Sequence, residues 1–110
     1  MAKTMNISDM CPMEVGVNIL SGKWKLKILW ILSKETIRFN ELQRKLGEIT
    51  TKTLTTQLRE LEDYGIIDRK VYAEVPPKVE YKLSEMGETL KPIMSELCYW
   101  GVMYSKVKKS

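Results

Sequence analysis

The sequence predicts a mainly α-helical domain carrying one small β-hairpin, on three observations. Apolar residues recur at helical spacing up to Tyr64, alternate with polar ones between Ile67 and Leu83, and return to helical spacing afterwards. Single Gly, Pro and capping residues punctuate these stretches, with no repeat, linker or low-complexity tract. A chain of 110 residues allows one domain and leaves no room for two.

Residues 1 to 10 read as a short flexible arm. Pro12 suits the first position of a helix on which Val15, Ile19 and Leu20 share a face, ending at Ser21-Gly22. A second helix is expected from Lys23 to Lys34. It turns Trp24, Ile28, Ile31 and Leu32 inward and Lys23, Lys25 and Lys27 to solvent. Thr36 to Phe39 form an extended link, and Asn40 is the expected cap of a brief helix that stops at Gly47. After the turn Glu48-Ile49, Thr50 or Thr51 caps a fourth helix to Tyr64, with Leu54, Leu58 and Leu61 as its buried stripe and Gly65 as its stop. Ile67, Val71, Ala73 and Val75, then Val79, Tyr81 and Leu83, form the apolar sides of two strands around a stiff Pro76-Pro77 tip. Ser84 caps a last helical region, 84–105, which Pro92 bends or divides. Helix, helix, short strand, helix, turn, helix, hairpin, helix is the order of a winged helix-turn-helix.

Composition narrows the function classes. Eighteen Lys and Arg against fourteen Asp and Glu give a mildly basic chain that fits a polyanionic partner without demanding one. Histidine is absent, which removes the commonest general base and metal ligand. Without a Gly-rich phosphate loop or a nucleophile–base pair either, the sequence reads as a non-enzyme with no metal and no cofactor. Two cysteines, Cys11 and Cys98, build neither a structural zinc site nor a disulfide framework and suit the cytoplasm. The longest apolar run, Ile28 to Leu32, is too short for a membrane span, and residues 1–10 lack the core of a signal peptide. No membrane partner is expected.

Stepping 100° per residue from Leu54 puts Lys52, Thr55, Thr56 and Arg59 opposite the leucines, with Thr53 at the edge. Thr51, Thr53, Thr55 and Thr56 are weak helix formers, so this half is not built for helicity. Their hydroxyls and methyls, with Lys52, suit phosphates and base edges; the alternative is a solvated polar face. Lys78 at the hairpin tip, with Arg69 and Lys70 lower down, suits the DNA backbone, or else the Pro-Pro turn only fixes register. Lys23, Arg38 and Asn40 complete the candidate DNA-contacting set. Residues 21 to 82 hold 13 basic against 9 acidic side chains, so the basic excess lies on this unit.

In the last helical region Met86, Leu90, Ile93, Leu97, Trp100 and Tyr104 form one seam, and Met94, Cys98, Gly101 and Ser105 a second. A helix apolar on two sides can pack on its own domain and on a second subunit; a single wide face on a monomer core is the alternative. Cys11 sits at the start of the first helix, where backbone amides favour a thiolate while Asp9 and Glu14 oppose it. Cys98 reads as a small buried hydrophobe.

These residues bring out a resemblance. Cys11-Pro12, Gly22-Lys23-Trp24, Arg38-Phe39-Asn40-Glu41-Leu42, Leu54-Thr55 with Leu58-Arg59-Glu60-Leu61, Val75-Pro76-Pro77 with Val79-Glu80-Tyr81, and Leu97-Cys98-Tyr99-Trp100-Gly101 make the chain similar to the HxlR-like winged helix-turn-helix transcriptional regulators. The resemblance implies a homodimer that binds double-stranded operator DNA, with the fourth helix in the major groove. It also implies joining through the first and last helices, here Val15, Ile19, Leu97, Cys98, Trp100, Gly101 and Tyr104. Some members sense electrophiles or oxidants through the Cys of the Cys-Pro motif, which makes Cys11 the candidate sensor. Ser21 departs from the family, which often has Gly there, and Cys98 takes no partner role by analogy. A winged-helix protein-interaction module that never touches DNA is the rival reading. A reading face of Lys52, Thr56 and Arg59, without aromatic or aliphatic anchors, counts against it. Nothing in the sequence identifies a small-molecule effector.

Overall fold

The structure, a computed structural model, describes residues 9–109. The arm expected over residues 1 to 10 therefore lies, up to residue 8, outside the described residues. The elements run α1 (Pro12–Leu20), α2 (Lys25–Leu32), β1 (Ile37–Arg38), α3 (Phe39–Leu46), α4 (Thr51–Asp63), β2 (Ile67–Tyr72), β3 (Lys78–Leu83), α5 (Glu85–Glu88) and α6 (Lys91–Lys109). No helix among the described residues is long and apolar enough to cross a membrane. The core joins Ile28, Leu29 and Leu32 of α2, Leu42 of α3 and the α4 leucines to Ile66, Ile67 and the inner side of β3.

Most boundaries follow local capping chemistry. Cys11 is the N-cap of α1, and its backbone N–H donates to Glu14 Oε1 at 3.1 Å. Thr50 caps α4 by accepting from the Thr53 N–H at 3.1 Å, and Gly65 leaves the helix at φ +78°. Ser84 caps α5 by accepting from the Gly87 N–H, and the helical region divides between Glu88 and Lys91, just before Pro92. Gly87 has a packing role as well. A Cβ there would lie 2.2 Å from the Ile66 carbonyl oxygen, so only glycine lets α5 close against the foot of the hairpin.

One expectation is extended and four are corrected. The hairpin is part of a three-stranded antiparallel sheet of order β1-β3-β2, because the Ile37–Arg38 link pairs with Tyr81 and Glu80 and buries Ile37. That pairing holds the chain extended to Arg38. The helix then starts at Phe39, half-buried against the core, and Asn40 lies in its first turn rather than at its cap. The inward alternation of the hairpin fails beyond its base. On β2 only Ile67 is buried, Val71 is exposed and Val75 is 100% exposed, because the wing projects past the core. Cys98 is exposed rather than buried, since among the described residues of α6 Met94 is the one whose side chain enters the core.

Lys25 gives the fourth correction. It is 6% exposed rather than turned to water. α2 begins at Lys25, which stands three residues before Ile28 and seven before Leu32, on the buried stripe. Its ammonium bridges to α4, donating to Gln57 Oε1 at 2.9 Å and to Glu60 Oε1 at 2.5 Å. Removing one partner of such a pair strands the other charge. Glu60→Ala is therefore expected to cost roughly 2 kcal/mol, less than the about 3–5 kcal/mol of a fully buried pair, because Gln57 remains and the Glu60 side chain is 35% exposed. Lys25→Met, which removes the charge and keeps the packing, should cost less; urea unfolding of both variants measures the difference.

Candidate nucleic-acid interface

The outward side of α4 is an exposed polar surface. The buried leucines Leu54, Leu58 and Leu61 turn Lys52, Thr56 and Arg59 to solvent. Thr53 and Thr55 are half-buried at the two edges. Thr55 and Arg59 share a small cleft with Glu62, Arg69 and Tyr81 at the foot of the wing. Burial there holds the Tyr81 phenol above its ordinary value.

The turn before α4 is organised by side chains. Gln43 of α3 donates to the Ile49 carbonyl and to Thr51 Oγ1, each at 3.2 Å. Thr50 and Thr53 hydroxyls bond at 3.0 Å. The Thr51 and Thr53 hydroxyls thus serve the turn, while among the described residues the Thr56 hydroxyl makes no such bond. Among the described residues Arg38, Lys52 and Arg59 form no ion pair. Other cations are engaged: Arg44 with Glu41 at 2.9 Å, Lys45 with Glu35 at 3.2 Å and Arg69 with Glu62 at 3.6 Å.

Arg38 and Asn40 are exposed at the start of α3, with Arg44 one turn on. They form one wall of a cleft of about 630 Å³ whose other wall is the wing tip, from Glu74 through Pro76-Pro77 to Lys78. Lys78 is not free. It lies 3.8 Å from Glu80 and 4.0 Å from Glu74, with its ammonium 4.1 Å from the centre of the Tyr72 ring. Tyr72 donates its hydroxyl to Glu80 at 2.9 Å, a bond that holds the phenol above its ordinary value. Lys23 stands apart from both groups, ahead of α2, with its ammonium 4.8 Å from the Trp24 ring centre.

Two features escaped the sequence reading. Gln43 organises the α3–α4 turn, and nothing in its spacing marks it. The Lys25–Gln57–Glu60 bridge had a signal, the place of Lys25 on the apolar stripe of α2, which a rule that sends lysines to solvent overrode.

The proposed subunit surfaces are exposed to different degrees. Leu97, Trp100 and Tyr104 are each about half exposed, with Trp100 and Tyr104 stacked at 5.3 Å between ring centres. Gly101 is half-buried and Cys98 exposed. On α1, Val15 and Ile19 are half-buried, and Met13 and Val17 are the exposed apolar residues.

The model of the HxlR-like helix-turn-helix family matches residues 19–109. An HTH-type transcriptional regulator of Halalkalibacterium halodurans is 50% identical over 101 residues, covering 91% of this chain and 88% of that one. Among solved structures, the HTH-type transcriptional regulator ytcD is 46% identical with a TM-score of 0.84, over 88% of this chain and 99% of that one. The redox regulator HypR in its reduced form is 43% identical with a TM-score of 0.86, over 90% and 98%.

Proposed function

The chain belongs to the HxlR-like helix-turn-helix family and is a DNA-binding transcriptional regulator, and we propose that it reads a duplex operator as a homodimer whose affinity responds to oxidants or electrophiles through Cys11. The observation that carries the reading is α4: a leucine stripe buries one side and presents Lys52, Thr56 and Arg59 on the other, with both cations unpaired among the described residues. That helix suits the major groove, where Lys52 reaches a guanine edge or phosphate and Thr55 and Thr56 meet bases at the groove wall. Thr51 and Thr53 shape the entry turn. Arg38 and Asn40 lie to one side, where a phosphate strand would pass the cleft, with Lys78 opposite. Lys23 is the outlying backbone contact. The cytoplasm, where such an operator lies, is the site of action.

The dimer rests on the row Ile93, Leu97, Trp100 and Tyr104, each about half exposed along α6. A 110-residue chain gains from covering such a row, and a second copy brings the same row to meet it. Val15, Ile19, Cys98 and Gly101 border that surface. Two-fold pairing sets two α4 helices roughly 34 Å apart, one DNA turn. Cys11 supports the sensing role by its exposure and its place at the N-cap of α1, and HypR, a redox regulator, shares the fold.

Three outcomes test this reading. Lys52→Ala and Thr56→Ala should each lower operator discrimination by roughly 1–3 kcal/mol, followed by fluorescence anisotropy, without moving the unfolding midpoint. Leu97→Glu should convert a dimeric protein to monomer or unfold it, and sedimentation of a parent that is monomeric at micromolar concentration would refute the assembly. Alkylation with N-ethylmaleimide should weaken operator binding in the parent and leave Cys11→Ser unaffected; an alkylated parent that binds unchanged leaves Cys11 structural.

A further inference from the structure

The wing tip carries a cation that is already held by anions. The Lys78 side chain is 21% exposed, between Glu80 and Glu74 and over the Tyr72 ring. Glu80 is itself fixed, because Tyr72, the cross-strand partner of Lys78, donates its hydroxyl to it. Glu74 is 53% exposed and, among the described residues, makes no other ion pair. Lys70 and Arg38 flank Glu80 on the two neighbouring strands, yet Lys78 is the cation that Glu74 and Glu80 take as ion-pair partner.

We propose that Glu74 and Glu80 are specificity-determining residues of the DNA interface, holding Lys78 so that the wing engages a phosphate only after α4 has docked on its own sequence. Binding to arbitrary sequence is driven almost wholly by phosphate attraction and counterion release. A phosphate that meets this wing in arbitrary register meets a Lys78 whose charge is already matched, so non-specific binding gains little from that ammonium. When base-edge contacts have fixed the duplex, a phosphate held beside Lys78 can take the place of one carboxylate. Exchanging one anion for another around an ammonium is close to neutral, so the positioning decides whether the contact forms. The inference rests on the reading above, in which α4 enters the groove and the wing lies along the backbone.

The test uses the full chain, a random-sequence duplex and a duplex that the parent itself selects from a random library. In the double variant Glu74→Gln, Glu80→Gln the amide oxygen introduced on β3 can still accept from Tyr72, so the wing keeps its shape. Affinity for the random duplex should rise about three- to tenfold and its log–log salt slope steepen by about one. Affinity for the selected duplex should rise less, so the ratio of the two falls; adding Lys78→Met should abolish the rise. Unchanged affinity and slope on the random duplex would overturn the inference, as would an equal rise on both duplexes. Glu74→Gln alone, at an exposed position, should show the same direction and serves if the double variant melts early. A parent that selects no sequence from the library would overturn the groove reading, and this inference with it.

Discussion

The pose of α4 depends on one buried ammonium as much as on its leucines. Apolar burial is non-directional: Leu54, Leu58 and Leu61 decide which side of the helix faces inward but tolerate a slide along its axis. The Lys25 ammonium does not tolerate it, because its hydrogen bonds to Gln57 and Glu60 have fixed lengths and directions. Those acceptors are three residues apart, so one cation engages two neighbouring places on α4. The outward direction of Lys52, Thr56 and Arg59 follows from both kinds of contact together.

The same logic distributes charge over the rest of the surface. The chain is only mildly basic, yet many of its cations are matched locally, on α3, at the foot of the wing, at its tip and beside α5. Among the described residues Arg38, Lys52 and Arg59 are left unmatched on the helix-turn-helix. Lys23, Lys27, Lys34 and Lys70, set against tryptophan or tyrosine rings rather than carboxylates, add to that charge, so ion pairing elsewhere shapes the positive field without confining it to these three. Exposed pairs of this kind contribute little stability, so their main effect is on the field that an approaching polyanion meets.

How much of this was legible in the sequence depended on the range of the interaction. Thr50, Gly65, Ser84 and Pro92 act within a few residues of themselves, and each marks its boundary where the sequence places it. The α4 leucine stripe was legible for the same reason. Asn40 was misread because the strand pairing of Arg38, a long-range contact, set the start of α3. Val71 and Val75 alternate like core residues, but alternation does not say where the core ends. Cys98 needed the departure of α6 from its own domain, which no periodicity encodes. On the candidate interface the residue types on α4 were legible, whereas the engagement of Lys78 and the role of Lys25 required partners distant in sequence.

The division between α5 and α6 has a mechanical consequence. α6 is 19 residues long, and beyond Met94, its buried foothold, 15 residues extend over about 22 Å at 1.5 Å per residue. It is a rigid arm on a short fulcrum. One degree of rotation there displaces its far end by about 0.4 Å, a ratio fixed by the length of helix beyond Met94. The small mass of the domain is thus geared: slight repacking around Met94 becomes a large swing at the tip, without any bend in the helix itself.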